Sequence, residues 1–134
     1  MTLRLAPRRA KGYRRMGTTT IRAHLANVMH RERETEVELV VDSGAIYSIV
    51  PATVLRAIGI DPESTEIFGL ADGRSVRRGV GHAVFEIEGR QGISKVVFGR
   101  RGDASLLGMV TLELLGLSLD PLRRRLRPLK LMIA

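Results

Sequence analysis

The 134-residue chain contains no cysteine and no tryptophan, and aromatic residues make up only 4% of it. Without cysteine it cannot form a disulfide bridge, a zinc–thiolate site or a thiol nucleophile. Because aromatic side chains are so few, a core must be built mainly from aliphatic residues. No apolar run reaches the roughly 18 residues that a membrane-spanning helix needs. The length fits a single domain with a core of its own.

Positive charge is concentrated at the two ends of the chain, whose formal net charge is +8. Residues 1–15 contain six basic residues and no acidic one, and residues 121–134 contain five and none. Such ends fit either contacts with nucleic acid or an acidic membrane, or solvated tails. The second interpretation is favoured, because only Tyr13 accompanies these clusters as an aromatic residue. We therefore expect neither nucleic acid nor a membrane as a partner.

The first fifteen residues have no helical or strand periodicity. We expect residues 1–15 to be a basic extension that is disordered or precedes the native start at Met16, and the domain to span residues 16–134. No apolar segment follows the first basic residues, so a secretory signal is not expected. We predict a cytoplasmic location.

Most of the remaining sequence has the pattern of β-strands. Charged and apolar residues alternate over residues 36–39, which predicts a strand over residues 35–41, and β-branched residues at the start of residues 18–28 predict another. A hairpin of these two strands is therefore expected. Asp72-Gly73 predicts a two-residue hairpin turn, and Glu88-Gly89 begins another turn. Further strands are expected over residues 64–70, 76–87, 93–98, 117–119 and 129–133.

Two short helices are expected between these strands. Pro51 is well placed to open the first and Gly59 to end it. The second is rich in leucine and is ended by Gly116. Residues 99–103 before it, including Asp103, are expected to form a solvated polar loop.

The most informative motif is Asp42-Ser43-Gly44-Ala45, which directly follows a strand-like segment, residues 37–41, that ends in the apolar residues Leu39-Val40-Val41. Asp, Ser and Gly are ordinary turn residues, so the motif alone is weak evidence. Its surroundings strengthen it: a second apolar segment, Leu106-Leu107-Gly108, precedes the second helix. The hairpin around Ala71-Asp72-Gly73 lies between the two segments.

This order of motifs resembles the retropepsin-like aspartic proteases of clan AA, and most of all their small prokaryotic members. In that family two apolar residues precede Asp-Thr/Ser-Gly-Ala, and an apolar-apolar-Gly motif precedes a helix. The resemblance covers roughly residues 18–120. It implies an all-β, single-domain barrel with one or two short helices, which is half of a pepsin-like bilobal fold. It also implies an endopeptidase that cleaves a polypeptide substrate without a metal or a cofactor.

The resemblance assigns a role to each motif. Asp42 is the catalytic residue, and because the chain has one Asp-Ser-Gly, activity implies a homodimer in which two Asp42 carboxylates share a proton and activate water. Around Asp42, the resemblance implies that Ser43, Gly44 and Ala45 support the catalytic loop. It implies substrate and flap contacts by Ile46, Leu70, Ala71, Asp72 and Gly73. It also implies that Leu106, Leu107 and Gly108 pack beside the loop.

Two further features bear on this interpretation. Both predicted helices are followed by a glycine, apolar residues and Asp-Pro, which favours the internally duplicated β-fold that the resemblance implies. Viral members also carry an ion pair where this chain has Ile46 and Met109-Val110. We therefore expect the dimer to be held by backbone strands and apolar contacts, with residues 129–134 as the best candidate.

Alternatives to catalysis remain open at this point. Asp42 could be a turn residue that binds its own backbone. The chain could also be a catalytically silent clan member that dimerises or binds peptides. A third possibility is nucleic-acid binding through the basic ends. His24, His30 and His82 lack the spacing of metal ligands, so no metal is expected.

Overall fold

The computed structural model describes residues 18–129, which are mostly β-strand, as predicted for an all-β fold. The basic extension 1–15, Met16 and all but the first residue of the predicted strand 129–133 lie outside this part. The elements are β1 (Thr19–Ala26), β2 (Glu34–Val41), β3 (Ser48–Pro51), α1 (Ala52–Ala57), β4 (Ser64–Gly69), β5 (Ser75–Ile87), β6 (Arg90–Gly99), β7 (Leu106–Leu107), α2 (Met109–Leu114), β8 (Leu117–Asp120) and β9 (Arg125–Pro128).

Seven strands form one sheet in the order β1-β2-β7-β3-β6-β5-β4, while β8 and β9 form a separate pair. Because β1 also pairs with β5, six of these strands form a closed circuit of hydrogen-bonded neighbours. The predicted hairpin of β1 and β2 is confirmed. So is the turn between β5 and β6, where Glu88 and Gly89 both have positive φ.

Buried side chains form two apolar clusters, and the predicted aliphatic core is confirmed. The larger cluster includes Leu55 and Leu112 from the two helices, with Phe85 and Phe98 as its aromatic members. The smaller cluster lies between the hairpin of β4 and β5 and the loop that follows β2. Its buried members are Ala45, Ile49, Phe68, Val80, Val97 and Leu106.

The strand register contains an internal two-fold repeat. Val40 of β2 pairs in parallel with Leu106 of β7, and Val97 of β6 pairs in parallel with Ile49 of β3. A shift of 57 positions relates the two pairs (97 − 40 = 57 and 106 − 49 = 57). Ile49 and Leu106 also pair with each other in antiparallel fashion, as residues on a two-fold axis must. The same shift carries α1 onto α2, so the register supports the predicted duplication.

The repeat is asymmetric where chemistry is expected. The shift places Gly99 at the position that corresponds to Asp42. A Cβ atom on Gly99 would lie 3.0 Å from Cγ2 of Ile49 and 3.3 Å from the carbonyl oxygen of Val50. The second half therefore has no carboxylate at this position and little room for one.

One turn prediction and one loop prediction need correction. The tip between β4 and β5 is a three-residue loop rather than a two-residue turn at Asp72-Gly73. The Gly73 N–H donates to the Leu70 carbonyl (3.0 Å), and the Leu70 N–H donates to the Arg74 carbonyl (2.7 Å). Gly73 has a φ of +89°, which suits a turn that closes with a left-handed glycine.

Asp103 does not lie in a solvated loop as expected. Its carboxylate accepts hydrogen bonds from Nε (2.7 Å) and Nη2 (2.9 Å) of Arg78, and both side chains are only 11% exposed. Burial raises the pKa of Asp103, but the hydrogen bonds from Arg78 and from the Arg100 N–H lower it by more. The pKa of Asp103 therefore lies below its ordinary value. The pair ties β5 to the segment that leads into β7.

We expect Asp103→Asn to lower the free energy of unfolding by about 3 kcal/mol at neutral pH, because it leaves the Arg78 charge buried without its partner. A carboxylate with a lowered folded pKa stabilises the fold above its unfolded pKa of about 4, and this contribution disappears as the pH falls. The variant should therefore lose less stability than the wild type on acidification. Urea unfolding across this pH range measures both effects, and Asp61→Asn, which removes a carboxylate whose side chain is 83% exposed, is the control. If the free energy of unfolding of Asp103→Asn and of the wild type fell equally on acidification, the role of Asp103 would be contradicted.

Candidate active site

Asp42 lies where β2 ends and its loop to β3 begins. Its N–H donates to the Leu107 carbonyl of β7 (3.2 Å), and its Oδ1 accepts the Gly44 N–H (2.8 Å). The Asp42 side chain is half-buried, whereas Ser43 and Gly44 are exposed. The bond to Gly44 is one that a turn aspartate makes, and it also fixes the direction of the carboxylate at the surface.

The same loop is docked on the first residues of α2. The N–H groups of Met109 and Val110 donate to the carbonyls of Ala45 and Ile46, both at 2.9 Å. The first N–H groups of a helix have no partner within the helix, so the loop supplies acceptors for two of them. Backbone bonds thus join the segment Ala45-Ile46 to the segment Met109-Val110.

Gly108 makes this close approach possible. A Cβ atom at position 108 would lie 2.4 Å from the carbonyl carbon and 2.6 Å from the carbonyl oxygen of Tyr47. Leu106 and Leu107 pair with the last two residues of β2. The structure therefore brings the segment 106–108 directly beside the Asp42 loop.

A chain of buried hydroxyl groups supports the loop from behind, and sequence analysis did not identify it. The Gly108 N–H donates to Ser48 Oγ (3.0 Å), which lies 2.6 Å from Thr111 Oγ1. Thr111 Oγ1 lies 2.8 Å from Ser94 Oγ, whose hydroxyl donates to the Lys95 carbonyl (3.2 Å). The fixed N–H at one end and the fixed carbonyl at the other allow one direction of donation, from Ser48 through Thr111 to Ser94. The only sequence signal is three hydroxyl residues within apolar segments.

The hairpin of β4 and β5 contributes side chains beside the loop. Ile46 and Leu70 are half-buried and pack against the smaller apolar cluster. Ala71, Asp72 and Gly73 form the exposed tip. The Asp72 carboxylate is engaged by the N–H (2.9 Å) and Nε (2.7 Å) of Arg74, and these bonds lower its pKa. Asp72 thus stabilises the tip.

A cation links this hairpin to the rear of the loop. Lys95 Nζ lies 2.9 and 3.1 Å from the two carboxylate oxygens of Glu66 in β4, and 4.4 Å from the centre of the Tyr47 ring. The bond to Glu66 raises the pKa of Lys95. The base of the hairpin is therefore fixed to β6 by this pair and to the segment before β7 by Arg78 and Asp103.

Comparison with known proteins adds no assignment: no protein-family model and no curated protein matches the chain. Within residues 18–129, no group of three or more histidine, aspartate or glutamate side chains is arranged to hold a metal ion. In the same range no helix is long and apolar enough to cross a membrane.

We expect Gly108→Ala to destabilise the fold by about 2 kcal/mol, because the added methyl group overlaps the Tyr47 backbone and must push the loop away. Chemical denaturation measures the loss. Gly92→Ala is the matched control, since its nearest contact would be an ordinary 3.4 Å. Equal stability of the two variants would mean that the loop is not held against α2 as described.

Proposed function

We propose that the chain is a retropepsin-like aspartic endopeptidase, which acts as a homodimer through two Asp42 carboxylates. The observation that carries the proposal is the place of Asp42 in the duplicated sheet. Its backbone is held by β7 and its carboxylate by Gly44. The equivalent position in the second half is occupied by Gly99.

The asymmetry of the repeat supports the dimer. Hydrolysis of an amide by water requires a base that takes a proton from the water and an acid that protonates the carbonyl oxygen. Two carboxylates that share one proton supply both roles, because neighbouring like charges cannot both ionise easily. One chain offers one such carboxylate, and a two-fold axis beside the exposed Ser43-Gly44 segment brings in the second.

The hairpin of β4 and β5 forms one side of the proposed substrate-binding site. In the proposed complex an extended polypeptide lies between the hairpin tip and the Asp42 loop and adds its backbone as a strand. Ile46, Leu70 and Val76 are half-buried at the edge of the smaller apolar cluster. Their surface suits apolar side chains of the substrate.

Asp42→Asn should abolish peptide hydrolysis while thermal unfolding stays close to that of the wild type, because asparagine keeps the shape but cannot act as a base. Turnover of a peptide library is the measurement, with Asp61→Asn as the control, because the Asp61 side chain is 83% exposed and lies outside the proposed site. Wild-type activity should be greatest at acidic pH and fall when the shared proton is lost. Near wild-type turnover by Asp42→Asn would rule out the assignment.

Mixing wild-type and Asp42→Asn chains tests whether each active site needs both carboxylates of a dimer. If each active site needs both carboxylates, heterodimers of wild-type and Asp42→Asn chains are inactive. Activity should then fall more steeply than the fraction of wild-type chain. A proportional fall would show that each chain acts alone. Peptide binding without hydrolysis by the wild type would favour the silent module.

A further inference from the structure

The arginine-rich segment near the C-terminus is folded and is not a solvated tail. Residues 117–128, which we call the arginine hairpin, form β8 and β9 with the turn between them, paired from Leu117 opposite Pro128 to Asp120 opposite Arg125. Leu126 is 5% exposed and belongs to the larger apolar cluster. The interpretation of these residues as a solvated tail is therefore wrong. That interpretation was the reason to expect neither nucleic acid nor a membrane as a partner.

The tip of the arginine hairpin is held in one conformation. Oδ1 of Asp120 accepts the N–H groups of Leu122 and Arg123, both at 3.2 Å. Arg124 has a φ of +52°. The Leu122 side chain is 94% exposed, the highest value among the large apolar residues that the structure describes as exposed. An apolar side chain is thus held in water among arginines.

The positive charge of the arginine hairpin is not neutralised locally. Arg123 Nε lies 3.9 Å from Asp120, but no ion pair within residues 18–129 involves Arg124, Arg125 or Arg127. Outside these four arginines the same range contains 11 basic and 14 acidic residues. The described part of the chain is therefore polarised, with its excess of cations on one hairpin.

We propose that the arginine hairpin is a contact site for the surface of an anionic lipid bilayer. Arginines close to such a surface are attracted by its negative potential, and an exposed leucine gains by entering the boundary between headgroups and acyl chains. A nucleic acid would attract the arginines equally but would offer no apolar surface to Leu122. The hairpin also has no aromatic side chain on which bases could stack. The contact is peripheral and does not depend on the proposed function.

Vesicle binding of the full-length chain tests this contact. The hairpin variant Arg124→Asn, Arg125→Gln, Arg127→Gln should bind vesicles of phosphatidylcholine and phosphatidylglycerol at least ~10-fold more weakly than the wild type. The matched control is Arg31→Gln, Arg77→Gln, Arg101→Gln, which removes the same charge from exposed positions elsewhere and should bind nearly as well as the wild type. Circular dichroism checks that both variants fold. Neither variant should bind vesicles of phosphatidylcholine alone.

A tryptophan reporter tests the role of the leucine. Because the chain has no tryptophan, Leu122→Trp gives a single emission signal, which should shift to the blue on adding anionic vesicles. Met29→Trp, at a position that is 82% exposed, should show no shift. The proposal is overturned if the hairpin and control variants bind vesicles equally, or if the Leu122→Trp emission does not move. It is also overturned if duplex DNA binds more tightly than vesicles through the same arginines, since the partner would then be a nucleic acid.

Discussion

The site depends on the close contact between the loop that follows Asp42 and the segment that opens α2. Gly108 lets the two backbones approach, and the N–H groups of Met109 and Val110 donate to the loop. The chain of hydroxyl groups from Ser48 holds the same region from the side of the core. Unpaired polar groups would be costly in such a buried place, so these bonds fix the loop in one conformation. This packing positions the loop, and the Gly44 N–H within it orients the Asp42 carboxylate.

The internal two-fold repeat explains why the proposed activity needs a second chain. Each half supplies a strand, a short helix and a left-handed glycine, and the halves interlock through the parallel pairs of β2 with β7 and β3 with β6. The halves differ where the first has Asp42 and the second has Gly99. A carboxylate on the second half would press on Ile49. The two halves of the fold therefore repeat the same strand, helix and glycine, but only the first half carries an aspartate at this position.

Much of the fold could be predicted because it is encoded in local patterns. Alternating residues predicted the first hairpin, and Pro51, Gly59 and Gly116 marked the helices. What could not be predicted depends on residues distant in sequence. Arg78 and Asp103 meet across 25 positions, and Ser48 and Thr111 across 63. β9 was missed because Leu126 is its only buried residue and arginines hide the strand period.

The central claim, that two Asp42 loops meet across a two-fold axis, can be measured through one thiol. Because the chain has no cysteine, Ser43→Cys would introduce a single one beside Asp42. Disulfide formation requires Cα atoms about 4.4–6.8 Å apart, so facing loops should give a covalent dimer on mild oxidation. Arg31→Cys, exposed on another turn, should remain largely uncrosslinked. If non-reducing electrophoresis shows no more dimer for Ser43→Cys than for Arg31→Cys, the two loops do not face each other and the proposed dimer is contradicted.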